Sequence, residues 1–334
     1  MSSSGADGQP ALKRTRVNEP NQNDTVPLRH SDVWFDDGNL MVIAESTVFK
    51  VFKGQLAKAS PIFHDMFGLS SSGVDLLDGC PVVHLSDSVE DVAVMLRAVH
   101  QWQNYRYQDL QSFTTVRAFL RMGKKYSIDF LWEDGLRRLQ SDFPPTLQCY
   151  EGAISDWITI EHQPGITYDV ISLCGEIGVL SCLPFALYVC ASENNFQNSI
   201  VAGWVRDDNS VAKLTPEDQV RCFRGRERLL AFQAEESFGW LHPQDYGGNG
   251  SVTCPSGANL CRVAKLELFA RMTSPPFTLR ALDAWDETWE HEICAGCIEV
   301  GKQEFEDNRK TAWDRLPSFF DLPPWSELKS GDSF

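Results

Sequence analysis

The chain has few basic residues, no apolar leader and no uninterrupted membrane-length apolar run. Its 30 Lys and Arg are outnumbered by 46 Asp and Glu, which gives a formal net charge of −16 over 334 residues. Nucleic-acid backbones and anionic membranes both attract basic surfaces. We therefore expect no direct nucleic-acid binding and no membrane binding. Residues 1–29 are polar and lack the apolar segment of a signal peptide, and their composition predicts a disordered tail.

One stretch approaches the length of a membrane span. Residues 170–191 read VISLCGEIGVLSCLPFALYVCA, but Glu176 and Pro184 interrupt them. Because proline ends or kinks a helix, the stretch predicts two short buried helices and not one span.

The motifs of the common enzyme classes are also missing. The sequence has no GxSxG, HExxH, GxGxxG, phosphate-loop or kinase-loop pattern, and its seven histidines are scattered singly. The glycine-rich run Tyr246–Gly250 is not followed by the Lys-Ser/Thr pair of a phosphate loop. We therefore predict that the chain is not an enzyme.

Cysteine, in contrast, is abundant, with ten residues. Without a leader, these cysteines are expected to be reduced. Cys294 and Cys297 have the two-residue spacing of zinc knuckles, and Cys254 and Cys261 form a wider pair. These four residues are predicted to hold a structural zinc ion, with His291 as an alternative ligand. The competing interpretations are buried free thiols and, less favoured, a redox-active Cys294–Cys297 pair.

The order of predicted elements is clearest near the start of the chain. The run Val33–Phe35, an Asp-Asp-Gly-Asn turn and the run Leu40–Ile43 predict a hairpin. A helical stretch from Val51 to Ala59 follows, and Ser60-Pro61 predicts the start of another helix.

The remaining sequence predicts one more strand and then mostly helices. The strand is Pro81–Leu85, and Ser88 starts the helix after it. Apolar residues at helical spacing mark two further helices, one around Phe113–Tyr126 and one around Ile128–Leu139. Residues 146–327, after Phe143-Pro144-Pro145, are predicted to be mostly helical. Among their helices, one is predicted to start at Thr215-Pro216 and to carry a solvated, ion-paired arginine face.

Residues 30–67, HSDVWFDDGNLMVIAESTVFKVFKGQLAKASPIFHDMF, resemble the start of a BTB/POZ domain. The resemblance extends over residues 30–142 through the Gly123–Ile128 run and the helix after it. It implies an α+β fold in which a BTB/POZ domain at 30–142 precedes a mostly α-helical C-terminal domain at 146–327. Arg309, Trp313, Leu316-Pro317 and the ending Leu322-Pro323-Pro324-Trp325 resemble BTB proteins abundant in mushroom-forming fungi. We expect that aromatic ending to pack back on the helical domain.

The resemblance also implies a function, a protein–protein interaction adaptor. Its partners would be a second copy of the chain, as a homodimer, or the cullin scaffold of a ubiquitin ligase, for which the chain would be a substrate adaptor. The chain departs from the family at three places. Val92-Ala93-Val94 stands where a hydrophobic-x-Glu motif is common, His100-Gln101-Trp102 replaces Tyr-Thr-Gly, and Phe52 replaces a His.

The alternative function is a nuclear scaffold or transcriptional co-regulator that acts through self-association. It would rest on the basic cluster Lys13–Arg16, a short match to nuclear localisation signals. The expected location is cytoplasmic, nuclear or both, and no cofactor besides zinc is expected.

Overall fold

The computed structural model describes residues 28–69, 75–106, 109–152, 158–242, 254, 259–275, 277–330 and 332. Within them the fold is mixed α+β, with one larger sheet near the N-terminus and helices through most of the rest. The Lys13–Arg16 cluster and the Tyr246–Gly250 run lie outside the described residues. So does most of the predicted tail, although its last two residues, Leu28 and Arg29, belong to the first strand.

The larger sheet has five strands in the order β1-β3-β2-β5-β4. Their bounds are β1 Leu28–Trp34, β2 Leu40–Ala44, β3 Thr47–Val51, β4 Leu76–Leu77 and β5 Cys80–Leu85. Strand β2 is antiparallel to β3 and parallel to β5, while β1 runs parallel to β3. The predicted strand Pro81–Leu85 is confirmed as β5.

The predicted hairpin between Val33–Phe35 and Leu40–Ile43 is wrong. Strand β2 forms its hairpin with β3, the segment that begins at Thr47, and β1 lies on the far side of β3. Glu45 adopts a φ of 49° in the connecting turn, the left-handed conformation that tight hairpins use. Val51 ends β3 and is not helical. The turn after Phe35 exists, but it carries the chain past β3 to β2.

Five helices follow or flank this sheet. They are α1 Lys53–Ala59, α2 Pro61–Leu69, α3 Val89–His100, α4 Phe113–Tyr126 and α5 Asp129–Asp142. Two predicted helix starts are confirmed by their caps. The Ser60 hydroxyl accepts the Phe63 amide at 3.1 Å, and the Ser88 hydroxyl accepts the Asp91 amide at 3.2 Å.

The second half is mostly helical, as predicted. Its helices are α6 Leu147–Gly152, α7 Ile166–Ile177, α8 Leu183–Ser192, α9 Phe196–Ala202, α10 Pro216–Phe232, α11 Asn259–Met272, α12 Ala295–Phe319 and α13 Trp325–Ser330. A small hairpin joins β6 Trp204–Val205 to β7 Val211–Ala212. Thr215 caps α10 by accepting the Asp218 amide at 3.1 Å, which confirms that helix start.

The apolar stretch at 170–191 forms two buried helices, as predicted. The first, α7, ends at Ile177, and the next residue, Gly178, has a φ of 76° that suits a residue without a Cβ. Pro184 occupies the first turn of α8, where its missing amide costs no hydrogen bond. Among the described helices, none has both the length and the apolar character to cross a membrane.

The arginine face of α10 is only partly the solvated surface that was predicted. Arg221 pairs with Glu217 and Asp218 on the same helix. Arg226 instead donates to the carbonyl oxygen of Ala191 at the end of α8. It therefore links two helices by hydrogen bonding to the backbone.

The buried apolar side chains of the described residues form three clusters. The first lies between the sheet and α1–α5 and includes Phe49, Phe63 and Leu96. The second fills the helical half, and the third surrounds Trp289. Helices α4 and α5 contribute to the first two clusters through different faces.

The aromatic C-terminal ending packs on the helical half, as expected. The Trp325 ring stacks on Trp313 with centroids 5.6 Å apart, and its indole N–H donates to the Trp313 carbonyl oxygen at 2.9 Å. The indole therefore has both an apolar neighbour and a hydrogen-bond acceptor.

Candidate metal centre

The structure brings the four predicted zinc ligands together. The Sγ atoms of Cys254, Cys261, Cys294 and Cys297 all lie within 4.8 Å of one another. Among the described residues, this is the one group of histidine, cysteine or acidic side chains arranged to hold a metal ion. Cys261 lies in the first turn of α11, so the six-residue gap after Cys254 does not keep the pair apart.

The spacing of Cys294 and Cys297 follows from the start of α12. Cys294 is the residue before the helix, with extended backbone angles, and Cys297 lies in the first turn. Residues at these two positions of a helix start can face the same ligand. The amide of Cys294 also donates to the Cys261 sulfur at 3.2 Å. This N–H group and the positive end of the helix dipole favour the thiolate form, but burial and the neighbouring Cys294 and Cys254 thiols outweigh them and raise the pKa of Cys261.

The sulfur separations suit a tetrahedral metal. The Cys254 and Cys294 sulfurs are 3.7 Å apart. With a Zn–S distance of about 2.3 Å, two sulfurs of a tetrahedral site are about 3.8 Å apart. Cys261 and Cys297 are buried, whereas Cys254 and Cys294 are half-buried. The site is thus open at one side and enclosed by protein at the other.

His291, the alternative ligand, lies outside this group. Its side chain is 83% exposed, and its Nδ1 atom is 3.9 Å from the Glu292 carboxylate. Four thiols already complete the set, so the structure has the all-cysteine arrangement.

An aromatic cluster surrounds the site. Phe238, Trp289 and Phe305 contact one another, with the Trp289 and Phe305 centroids 5.0 Å apart. Cys261 and Cys297 belong to the same buried cluster. Burial is the main reason that the pKa of the Cys297 thiol rises to about 12, while the charge of Lys265 opposes that rise. A metal bound here would therefore have to displace protons from the thiols.

The other described cysteines fit the competing interpretation of buried free thiols, except Cys80 and Cys149, which are partly or fully exposed. Cys190 on α8 and Cys222 on α10 are buried with their sulfurs 3.8 Å apart. The hydrogen bond with Cys222 and burial raise the pKa of Cys190. Burial likewise raises the pKa of Cys174 to about 12. These thiols pack as small apolar side chains.

Arg138 forms a buried charged centre that the sequence motifs did not predict. Arg138 is fully buried and bonds the Asp134 carboxylate at 2.7 Å. Its guanidinium also donates to the carbonyl oxygens of Arg106 and Asp109. The i, i+4 spacing of Asp134 and Arg138 is visible in the sequence, but the carbonyl partners come from a distant loop. The group fixes that loop on α5.

Comparisons with known proteins give no family assignment. No protein-family model matches the chain, and neither a curated protein nor a solved structure is significantly similar to it. The BTB/POZ resemblance therefore rests on the residue pattern of this chain alone.

Proposed function

We propose that the chain is a protein–protein interaction adaptor built on a BTB/POZ-like N-terminal unit. The observation that carries the proposal is the pattern at residues 30–67. Its segments follow one another as a strand, a β2–β3 hairpin and two short helices. The sequence pattern predicted the hairpin one strand earlier, between 33–35 and 40–43, and what supports the proposal is a hairpin followed directly by two short helices.

The side chains of that pattern have two different environments. Leu56 on α1 and Phe63 on α2 are fully buried, so they contribute to the core. On α2, Ile62 and Leu69 are 39% and 86% exposed. Apolar side chains exposed on one short helix offer contact area to a second protein, and here they define the α2 surface.

The cullin scaffold is the first partner to test. Val92, Ala93 and Val94, which replace the common hydrophobic-x-Glu motif, are all buried in α3. They pack inside the unit, so a cullin would have to contact other residues, such as those of the α2 surface. Self-association through the same surface is the competing outcome.

The test uses the full chain and two surface variants. Ile62→Asp combined with Leu69→Asp changes the α2 surface, and Val220→Asp on α10, at a side chain 48% exposed, is the matched control. Binding to purified cullin N-terminal domains is measured by interferometry, and mass in solution by light scattering. We expect binding or dimerisation that the double variant loses and the control retains. A monomer that binds none of the cullins would contradict the proposal.

The alternative, a nuclear scaffold, rests on the Lys13–Arg16 cluster. Removing residues 1–27 deletes the cluster and leaves strand β1 complete, since that strand begins at Leu28. Nuclear accumulation that the deletion abolishes would favour the scaffold. An unchanged cytoplasmic signal would count against it.

The metal centre has a structural part in this proposal. Cys254, Cys261, Cys294 and Cys297 would hold Zn²⁺ as a closed tetrathiolate, which leaves no coordination position for a catalytic water. The ion would join the starts of α11 and α12. Metal analysis of the purified protein should give one zinc per chain, and a zinc-free protein whose melting a chelator does not change would contradict this part.

A further inference from the structure

Two pairs of cysteines in this chain have nearly the same sulfur separation. The sulfurs are 3.7 Å apart for Cys254 and Cys294, and 3.8 Å apart for Cys190 and Cys222. The first pair is half-buried at the open side of the metal centre, and the second is buried between α8 and α10. The two pairs therefore differ in access and not in distance.

Access and thiolate character decide which cysteines are oxidised. The hydrogen bond with Cys222 and burial raise the pKa of Cys190, and both sulfurs of this pair are buried away from solvent. A metal keeps its cysteine ligands deprotonated. Of the four ligands, Cys261 and Cys297 are buried, so an oxidant from solvent meets Cys254 and Cys294 first.

We propose that Cys254 and Cys294 are an oxidation site, at which a hydroperoxide converts the pair to a disulfide and releases the zinc ion. The inference rests on the proposed zinc. One of the two thiolates attacks the peroxide, here hydrogen peroxide, which breaks the O–O bond and yields a sulfenic acid and hydroxide. The other thiolate attacks that sulfur, forms the S–S bond and expels a second hydroxide. Two electrons pass from the sulfurs to the peroxide, and two protons from solvent neutralise the hydroxides.

The reaction exchanges one cross-link for another. The zinc ion keeps only two of its four ligands, Cys261 and Cys297, and is lost from the site. The new disulfide still joins the segment before α11 to the start of α12, across 40 positions of sequence. A thiol reductant reverses the step by thiol–disulfide exchange. The site would thus switch between a metal-bound and a metal-free form of the same chain.

The experiment uses zinc-loaded, full-length protein that carries Cys149→Ser, which removes an exposed thiol outside the site. Hydrogen peroxide is added in steps. Released zinc is followed with a chromogenic chelator, and disulfides are mapped by mass spectrometry in the same samples. We expect one zinc released per Cys254–Cys294 disulfide, with at least about tenfold less Cys190–Cys222 disulfide as the internal control. Dithiothreitol and added zinc should restore the starting state.

Three other results would each refute the inference. A purified protein without zinc would refute the zinc proposal and this inference together. Bound zinc that peroxide does not release would refute the inference and leave the structural zinc site intact. A disulfide between Cys294 and Cys297, or between Cys190 and Cys222, as the main product would also refute it.

Discussion

Replacing Cys297 by serine tests how far the helical half depends on the proposed zinc ion. The substitution removes one of the four thiolates at the start of α12 and keeps a side chain of similar size. A metal that binds only the folded state adds RT ln(1 + [L]/Kd) to stability, about 4.1 kcal/mol when free zinc is a thousand times Kd. This exceeds the roughly 1.5–3 kcal/mol that burying one large apolar side chain contributes.

The loss of stability should be confined to the region around the third apolar cluster. Phe238, Trp289 and Phe305 pack there beside Cys261 and Cys297. We expect the Cys297→Ser protein to lose about 4 kcal/mol of stability in this region. At about 2–4 °C per kcal/mol, the melting temperature should fall by roughly 8–16 °C.

Hydrogen exchange measured by mass spectrometry locates the effect. Amides of α11 and of the first half of α12 should lose protection, while those of α3 and α8 keep it. A chelator added to the unmodified protein should give the same pattern, and Cys149→Ser is the matched control. A variant that melts within about 1 °C of the unmodified protein, with an unchanged exchange pattern, would contradict this dependence on zinc.

Three further predictions concern the N-terminal unit. Leu96 is fully buried, so Leu96→Asp should unfold the unit at a cost above about 4 kcal/mol, while the exposed control Leu110→Asp stays soluble and folded in denaturant titrations. Arg138→Met leaves the Asp134 carboxylate buried without its partner and should cost about 3–5 kcal/mol in the same assay, in contrast to a near-neutral Arg137→Gln at the exposed neighbouring position. Burial lowers the pKa of His100, whose ring accepts the Phe52 amide. The neutral His100 ring should contribute fully to stability above the ordinary pKa of 6.5, and this contribution should be lost as the pH falls through the folded-state pKa. The free energy of unfolding should therefore depend less on pH in His100→Gln. An NMR titration giving His100 a pKa at or above 6.5 would contradict that assignment.

Local signals made several of these features predictable. Ser88 and Thr215 each cap a helix because a hydroxyl at that position satisfies an amide that the helix leaves without a partner. The grouping of the four cysteines was partly predictable, because the two-residue spacing of Cys294 and Cys297 is that of zinc knuckles. The two-residue spacing of Cys294 and Cys297 suits the start of a helix, and the structure places α12 there.

Pairings between distant segments were not predictable in this way. Strand β1 is placed by its parallel register with β3, and the Asp-Asp-Gly-Asn turn after Phe35 contains nothing that distinguishes this from a hairpin. Arg138 depends on carbonyl groups from the loop near Asp109, which are neighbours only in the folded chain. In both cases the interacting residues are far apart in sequence, whereas hydrophobic periodicity indicates only the local secondary structure.

Helices α4 and α5 pack in two apolar clusters at once, and this affects whether the chain can be cut into two stable fragments. On one face Phe119 and Leu131 belong to the sheet-side cluster, and on the other Leu120 and Trp132 belong to the helical half. A chain cut after Asp142 would expose that second face to water as a broad apolar surface. Such a fragment would be prone to aggregate, and the stability of each half would include a contribution from the other. The α2 surface and the helical half would then unfold together, because neither half would stay folded without the other.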